Sequence, residues 1–170
     1  MIEAARQLRS GKILAVKGLG GFHLACRADL PDTVAEMRRR KNREAKPLAV
    51  MVATLEEADR IVHLDDLTRA ALVSLAHPIV LAPKRVDNAI AVEVAPGTHN
   101  LGVMMPYTPL HELLLAENPG PLVMTSGNPS SEPLCTDNAE AIERLGGIAD
   151  CFLLHDRDIE RRVDDSVVMG

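Results

Sequence analysis

The stretch that decides the fold is KILAVKGLGGFHLAC, residues Lys12–Cys26. Its first six residues form an apolar run between two lysines, which predicts a buried strand. Three glycines around Leu19 then predict a tight turn, and Phe22–Cys26 predicts a second strand. The stretch therefore predicts two consecutive strands of a sheet.

Helical and strand-like segments alternate on both sides of this stretch. Helices are predicted over 2–9, 31–42, from Thr54 with its capping partner Glu57, over 66–76, 108–115, and from Asp137 with Glu140 to 145. Further strands are predicted over 48–52, 79–82, 90–94, 101–105, 122–125 and 151–154. The alternation predicts an α/β domain with helices flanking a twisted sheet, mixed or parallel.

The last seven residues, Asp164–Gly170, end in an apolar run that also predicts a strand. We interpret this strand as cut short. We therefore expect residues 1–170 to be a single domain excised from a longer multidomain protein. Because the chain has only three aromatic residues, its core should be aliphatic.

The net charge of −5 is unevenly distributed. The window Glu36–Lys46 carries six basic and two acidic residues, a local charge of +4, so the rest of the chain sums to −9. A protein with a broad nucleic-acid-binding face is normally basic and carries stacking aromatic residues. The pattern instead favours a small anionic ligand bound at one place.

Cysteines and histidines give no sign of a metal site or a disulfide framework. The three cysteines, Cys26, Cys135 and Cys151, form no CxxC pair, which predicts reduced thiols.

No apolar run approaches the length of a membrane helix, and Glu3 and Arg6 interrupt any signal peptide. We expect a cytoplasmic protein without a protein-bound metal.

Basic residues cluster where a predicted helix gives way to a strand. Lys41 follows Val34 and Met37 at helical spacing, which places it on the face that packs against the sheet. Arg43 lies two residues on, and the proline after Lys46 disfavours helix there. Two interpretations remain open: cations that neutralise a triphosphate, or a solvated helix end stabilised by the helix dipole.

A small polar loop, Thr125-Ser126-Gly127-Asn128-Pro129, directly follows a buried strand. Ligands of open α/β sheets collect at the carboxyl ends of strands, and such a loop can turn its backbone N–H groups toward an anion. Ser126 and Asn128 add side-chain donors. The alternative is an ordinary turn, because these residue types are the usual turn formers.

Two further charged segments have open roles. Lys17 ends a predicted strand, where a buried unpaired ammonium would be costly. It should either face a ligand or pair with an acid such as Asp164 or Asp165. The segment Arg161–Ser166 is either functional or a charged surface turn with internal salt bridges.

Taken together, six segments resemble a known family. They are KGLGGFHLACRA, KNREAKPLAVMV, HPIVLAPKR, GVMMPYTPLHELLL, PLVMTSGNPSSEP and RRVDDSVV. From about Ala4 to Val168 the chain resembles the YrdC-like domain of the HypF family of hydrogenase-maturation carbamoyltransferases. The Lys-x-Arg pair and the Ser-x-Asn triplet are typical of the wider YrdC superfamily, whereas KGLGGFHL, MPYTPLH and TSGNPS are typical of the HypF branch.

The resemblance implies a fold with a large concave cleft lined by positive charge, and it implies site residues. The implied catalytic residues are Lys41, Arg43, Ser126 and Asn128. The implied nucleotide-binding residues are Lys17, Lys41, Arg43, Lys46, Thr125, Ser126 and Asn128. A serine stands at position 131, where the family pattern leads us to expect glycine.

The resemblance also implies an activity. Such domains bind ATP and Mg²⁺ and join carbamate to AMP, releasing pyrophosphate. Carbamate comes from carbamoyl phosphate through a neighbouring acylphosphatase-like domain. A further domain passes the carbamoyl group to the C-terminal cysteine of the partner HypE, where it becomes a cyanide ligand of the nickel–iron centre.

Parts of this reaction have no counterpart in the sequence. There is no GVGFRP segment, no paired CxxC zinc motif and no transfer domain.

Three other functions compete with the one implied. They are threonylcarbamoyl-adenylate synthesis for tRNA modification, non-catalytic RNA binding, and a scaffold that has lost catalysis. The acidic balance disfavours RNA binding, and retention of all four implied catalytic residues disfavours a scaffold.

Overall fold

The computed structural model describes residues 1–118, 120–130 and 132–169. Its strands are Leu14–Lys17 (β1), Phe22–Arg27 (β2), Ala49–Met51 (β3), Ile79–Pro83 (β4), Asn100–Met104 (β5), Leu122–Ser126 (β6), Cys151–Leu153 (β7) and Val167–Met169 (β8). Its α-helices are Ile2–Arg9 (α1), Pro31–Lys41 (α2), Leu55–Ile61 (α3), Asp66–Leu72 (α4), Pro109–Glu117 (α5) and Asn138–Leu145 (α6). The predicted mixed α/β fold is confirmed.

One sheet of eight strands, in the order β7-β1-β2-β6-β3-β5-β4-β8, organises the chain. The hairpin of β1 and β2 is antiparallel, as are the pairs β2–β6, β3–β6 and β4–β5. The pairs β1–β7, β3–β5 and β4–β8 are parallel. The sheet is therefore mixed, and the alternative of a purely parallel sheet is wrong.

The strand predicted over 90–94 is also wrong, because this segment ends in a 3-10 turn, Val92–Val94. Its apolar residues Ala91 and Val94 are buried in the core. The carbonyl of Val94 accepts from the Leu48 N–H and from a guanidinium nitrogen of Arg38, so its partners lie outside the sheet ladder. An apolar run can fill a core without joining a sheet, and periodicity alone does not separate the two cases.

Two aliphatic layers cover the faces of the sheet. On one face α2 packs through Val34 and Met37 over Leu24 and Val123. On the other face α1 and α5 cover a second cluster that includes Met124. Among the described residues the buried core is aliphatic, as the composition predicts, apart from Phe22 and the two cysteines Cys26 and Cys135. Position 131 lies outside the described residues.

Antiparallel pairing of β3 with β6 positions the site. Ala49 at the start of β3 pairs with Met124 in the middle of β6, and Met51 at the end of β3 pairs with Leu122 at the start of β6. Because the two strands run in opposite directions, the loop that precedes β3 and the loop that follows β6 lie at the same end of these two interior strands, although they are far apart in sequence.

Candidate functional site

The Lys41 side chain joins the two predicted motifs. It lies in the last turn of α2 on the inward face, as its spacing from Val34 and Met37 predicts, and is 3% exposed. Its Nζ donates to the carbonyls of Ser126 and Asn128 at 2.5 and 2.7 Å and to Asn128 Oδ1 at 2.9 Å. The ammonium is therefore buried but hydrogen-bonded, which offsets its desolvation.

A cavity of about 430 Å³ opens beside this ammonium. Its lining residues are Lys41, Asn42, Arg43, Glu44, Lys46, Ser126, Asn128 and Ser130. Burial, followed by the charge of Arg43, lowers the pKa of Lys41 from 10.5 to about 8. Three cations against one carboxylate make the cavity suited to an anion with several charges.

Asn42 and Arg43 turn the chain from α2 into this cavity. Asn42 ends the helix in the left-handed region with φ 52°, which asparagine tolerates better than most residues. The Arg43 guanidinium donates to the carbonyl of Pro47 at 2.9 Å. The loop after α2 is thus folded back on itself, with its basic side chains on the cavity side.

Arg38 is a residue that the sequence analysis missed. It is 9% exposed and donates within the loop to the carbonyls of Arg43, Glu44 and Lys46 at 2.9 to 3.3 Å. It also donates to the carbonyls of Glu93 and Val94 at 2.5 and 3.0 Å. One guanidinium therefore fixes the basic loop to the Val92–Val94 turn. The sequence does not distinguish Arg38 from its neighbours Arg39 and Arg40, because the three form one basic run.

The loop after β6 needs its glycine. The Gly127 N–H donates to the Phe22 carbonyl at 2.6 Å, and an added Cβ would lie 2.5 Å from that oxygen. This close approach directs the following Asn128 toward Lys41. The Asn128 amide also donates to the Glu132 carbonyl, so both ends of the side chain are bonded.

Lys17 and Thr125 do not line the cationic cavity. Lys17 is buried and donates to the His155 carbonyl at 3.2 Å, instead of pairing with Asp164 or Asp165. Thr125 is buried within β6, paired with Leu24. Of the seven predicted nucleotide-binding residues, five share the cavity, and their roles stay predictions.

The segment Arg161–Ser166 lies largely at the surface, but among the described residues its ion pairs are not internal, as the alternative prediction had them. Asp165 Oδ2 lies 3.1 Å from His23 Nε2, and the Tyr107 hydroxyl donates to Asp165 Oδ1 at 3.1 Å. Arg162 donates to the Leu134 carbonyl at 2.9 Å. Asp165 and Arg162 thus contact distant parts of the chain, which sequence spacing does not reveal.

Burial and hydrogen bonding set the protonation of this second cluster. Burial raises the pKa of Asp165, but the bonds from His23 and Tyr107 outweigh it, and the net shift is downward. Burial, with the adjacent His23, lowers the pKa of His111 to about 3. Near neutral pH Asp165 is therefore ionised, and His111 is neutral.

Within the described ranges there is no group of three or more His, Cys, Asp and Glu side chains placed to hold a metal ion. None of the described helices is long and apolar enough to cross a membrane.

The fold and the cavity define an α/β domain suited to a ligand that carries phosphate. The family model Sua5_yciO_yrdC, described as "Telomere recombination", matches residues 6–170. The chain belongs to this Sua5/YciO/YrdC family.

Within that family the chain is similar to HypF proteins, as predicted. Carbamoyltransferase HypF of Rhodobacter capsulatus is 55% identical over 165 residues, which are 97% of this chain and 22% of that protein. A crystal structure of full-length HypF in the phosphate- and nucleotide-bound form superposes with a TM-score of 0.96 and 48% identity, covering 99% of this chain and 26% of that one. The chain thus spans about a quarter of these relatives.

The competing family member is more distant. The threonylcarbamoyl-AMP synthase of Bos taurus is 29% identical over 130 residues, which are 76% of this chain and 47% of that protein.

Proposed function

We propose that this chain forms carbamoyl adenylate from carbamate and ATP, releasing pyrophosphate. The observation that carries the proposal is the Lys41 ammonium, bonded to Ser126 and Asn128 at the wall of a cationic cavity. The chain is 55% identical to a carbamoyltransferase HypF and 29% identical to a threonylcarbamoyl-AMP synthase. This difference favours carbamate itself over a threonine-derived carbamate as the substrate.

In the proposed reaction a carbamate oxygen attacks the α-phosphorus of ATP. The bond from this phosphorus to the oxygen that bridges to the β-phosphate breaks, and pyrophosphate leaves with the electron pair. No proton need be removed, because carbamate is already an anion. Lys41, Arg43 and Lys46 offset the phosphate charge, so catalysis consists mainly of positioning and electrostatic stabilisation.

We propose ATP as the nucleotide, in support of which a similar HypF structure is nucleotide-bound. Mg²⁺ would neutralise phosphate charge and would be held chiefly by the phosphates and water, as is usual at nucleotide sites. This arrangement fits a chain whose described part has no cluster of three metal-ligating side chains.

We further propose that residues 1–170 form one domain of a longer cytoplasmic carbamoyltransferase. Support comes from the relatives, of which the chain spans about a quarter. In the complete protein an acylphosphatase-like domain would supply carbamate from carbamoyl phosphate, and a transfer domain would deliver the carbamoyl group to HypE.

Calorimetry with ATP and Mg²⁺, followed by an assay of pyrophosphate release, tests the proposal. We expect ATP to bind, and pyrophosphate to appear when ammonium and bicarbonate supply carbamate. Bicarbonate with threonine should support much less release. If no heat and no thermal shift occurred at millimolar ATP, the proposal would be wrong. If threonine were the better co-substrate, the rival activity would replace it.

A further inference from the structure

A second polar cluster lies on the opposite side of Ser126 from Lys41. We name it the Asp165 corner, formed by His23, Tyr107, His111 and Asp165. Ser126 on β6 pairs with His23 on β2, and both side chains line a narrow crevice of about 10 Å³ together with Asp165. Asp165 and Tyr107 also line a cavity of about 370 Å³. The crevice thus lies between the cationic cavity and this second cavity. It shares Ser126 with the cationic cavity and Asp165 with the second cavity.

The Asp165 corner has unused hydrogen-bonding capacity. An ionised carboxylate has about four acceptor positions, and Tyr107 and His23 occupy two of those on Asp165. Its side chain is 26% exposed toward the cavities. If His23 donates to Asp165 through Nε2, its Nδ1 is left as an acceptor.

Two buried histidines in this corner are incompletely bonded. His23 Nδ1 and both ring nitrogens of His111 have no hydrogen-bond partner among the described residues. The two rings pack edge to face with centroids 5.8 Å apart, and His111 packs against Tyr107 in the same way at 4.7 Å. Buried polar groups are nearly always paired in native proteins, so these ring nitrogens have capacity for a further partner, either a water molecule or a ligand.

The backbone, independently of the Asp165 side chain, holds this segment in place. The Val163 N–H donates to the Gly20 carbonyl at 3.1 Å, and an added Cβ on Gly20 would lie 2.6 Å from Val163 Cβ. The Ser166 carbonyl accepts from the Ile79 N–H at 2.8 Å. Replacing the Asp165 carboxylate should therefore change the chemistry of the corner while leaving the segment docked.

We infer that the Asp165 corner binds the amino end of carbamate and selects it over N-substituted carbamates. The inference rests on the proposed function. Carbamate carries a carboxylate at one end and two N–H donors at the other. With its carboxylate directed toward the α-phosphate on the Lys41 side of Ser126, its amino group is directed toward Asp165, which offers acceptors and no competing donor.

The charge of Asp165 supplies the selection. A carbamate derived from an amino acid has one N–H fewer and adds a second carboxylate close to its nitrogen. That carboxylate would face the ionised Asp165, and like charges repel strongly where water is largely excluded. A neutral donor group is therefore accepted at this corner, and an anionic substituent is rejected.

The variant Asp165→Asn tests the inference, because it keeps the shape and one acceptor but removes the charge. Pyrophosphate release is measured against ammonium bicarbonate and against bicarbonate with threonine, and ATP affinity is measured by calorimetry. We expect the KM for carbamate to rise at least about ten-fold and its preference over the threonine-derived carbamate to fall by a similar factor. ATP affinity should change by less than about two-fold.

The matched control is Asp158→Asn, which makes the same charge change at an exposed position of the same connection between β7 and β8. It should leave both KM values and the preference unchanged. Tyr107→Phe, which removes one bond to Asp165, should raise the KM for carbamate without changing ATP affinity. Thermal unfolding of each variant checks that the fold is retained.

The outcomes separate this inference from the proposed function. Wild-type turnover with carbamate, together with an unchanged KM and preference in Asp165→Asn, would overturn the inference alone. An equal effect of Asp158→Asn would also overturn it, because general charge would then explain the result. ATP binding without any pyrophosphate release by the wild-type chain would overturn the proposed function and the inference with it.

Discussion

At the scale of single residues, Lys41 is the position on which the site depends most. Lys41→Met keeps much of the side-chain volume but removes the ammonium. Removing a charged partner of a bound phosphate typically costs about 2–5 kcal/mol, so we expect pyrophosphate release to fall by roughly 30-fold or more. Arg43→Ala should have an effect in the same range. Steady-state assays of the two variants and of their double mutant measure it.

The control for this prediction is Lys12→Met, at an exposed lysine outside the cavity lining. It should retain wild-type activity. Thermal unfolding should show that the Lys41 and Arg43 variants still fold. Full activity in the double mutant would contradict the role assigned to these cations.

The lowered pKa of Lys41 predicts a pH dependence for ATP binding. Because this pKa is about 8 in the free chain, Lys41 is charged below pH 8 and increasingly neutral above it. Bound phosphate favours the charged form, so binding above pH 8 must be accompanied by proton uptake. The Kd for ATP should therefore increase by up to about ten-fold per pH unit above 8.

Calorimetry between pH 7 and 9, in buffers of different ionisation enthalpy, measures both the affinity and the proton uptake. Lys41→Met should bind ATP more weakly at every pH and should lose most of this dependence. An equally steep dependence in the variant would assign the titration to another group.

At the scale of elements, the basic loop depends on α2 through Arg38. Arg38, which is 9% exposed, is the donor that five carbonyl oxygens share, and Arg38→Met would remove it. The carbonyls of Val94 and Lys46 would each keep one other donor, and the remaining three would lose theirs. Unpaired buried groups typically cost about 1–3 kcal/mol each, although loop relaxation recovers part of this. We expect a clear loss of stability and at least a ten-fold weaker affinity for ATP, although Arg38 does not line the cavity.

The neighbouring Arg39 provides the matched control, because it is exposed and pairs with Glu36 on the helix surface. Such pairs contribute little, so Arg39→Met should change neither property appreciably. Chemical denaturation and calorimetry compare the two variants. Equal effects would indicate that the overall charge of α2 matters, instead of the contacts of Arg38 with the loop.

The elements also show what can be read from sequence. Lys41 could be placed inward because helical periodicity is a local property, and the glycine-bearing loop after β6 follows a clear apolar strand. The pairing of His23 with Asp165 joins residues far apart in sequence and depends on how the strands are ordered. The role of Arg38 is not predictable from sequence for a different reason, because nothing in a basic run indicates which member turns inward.

At the scale of the whole molecule, the modular hypothesis, that residues 1–170 are one domain of a longer carbamoyltransferase, predicts which reactions this chain does not catalyse. It carries the proposed adenylate-forming site, whereas no segment of its sequence resembles an acylphosphatase or a transfer domain. We expect pyrophosphate release with carbamate, much less with carbamoyl phosphate, and no carbamoylation of HypE. Mass spectrometry of HypE after incubation measures the last point.

The positive control is the same incubation with a full-length HypF, which should add the mass of one carbamoyl group to HypE. The same gain in mass with this chain as the sole enzyme would show that the modular hypothesis is wrong.

The path of the chain between β7 and β8 has a consequence for biosynthesis. These strands are consecutive in sequence but form opposite edges of the sheet, and the segment between them passes the Gly18–Gly21 turn and His23 on the way. A ribosome makes the Lys41 loop early and Ser126 well before the end. Asp165 and β8 emerge only after every other strand, so a nascent chain acquires a place for phosphates before it acquires the corner proposed to choose among acyl donors.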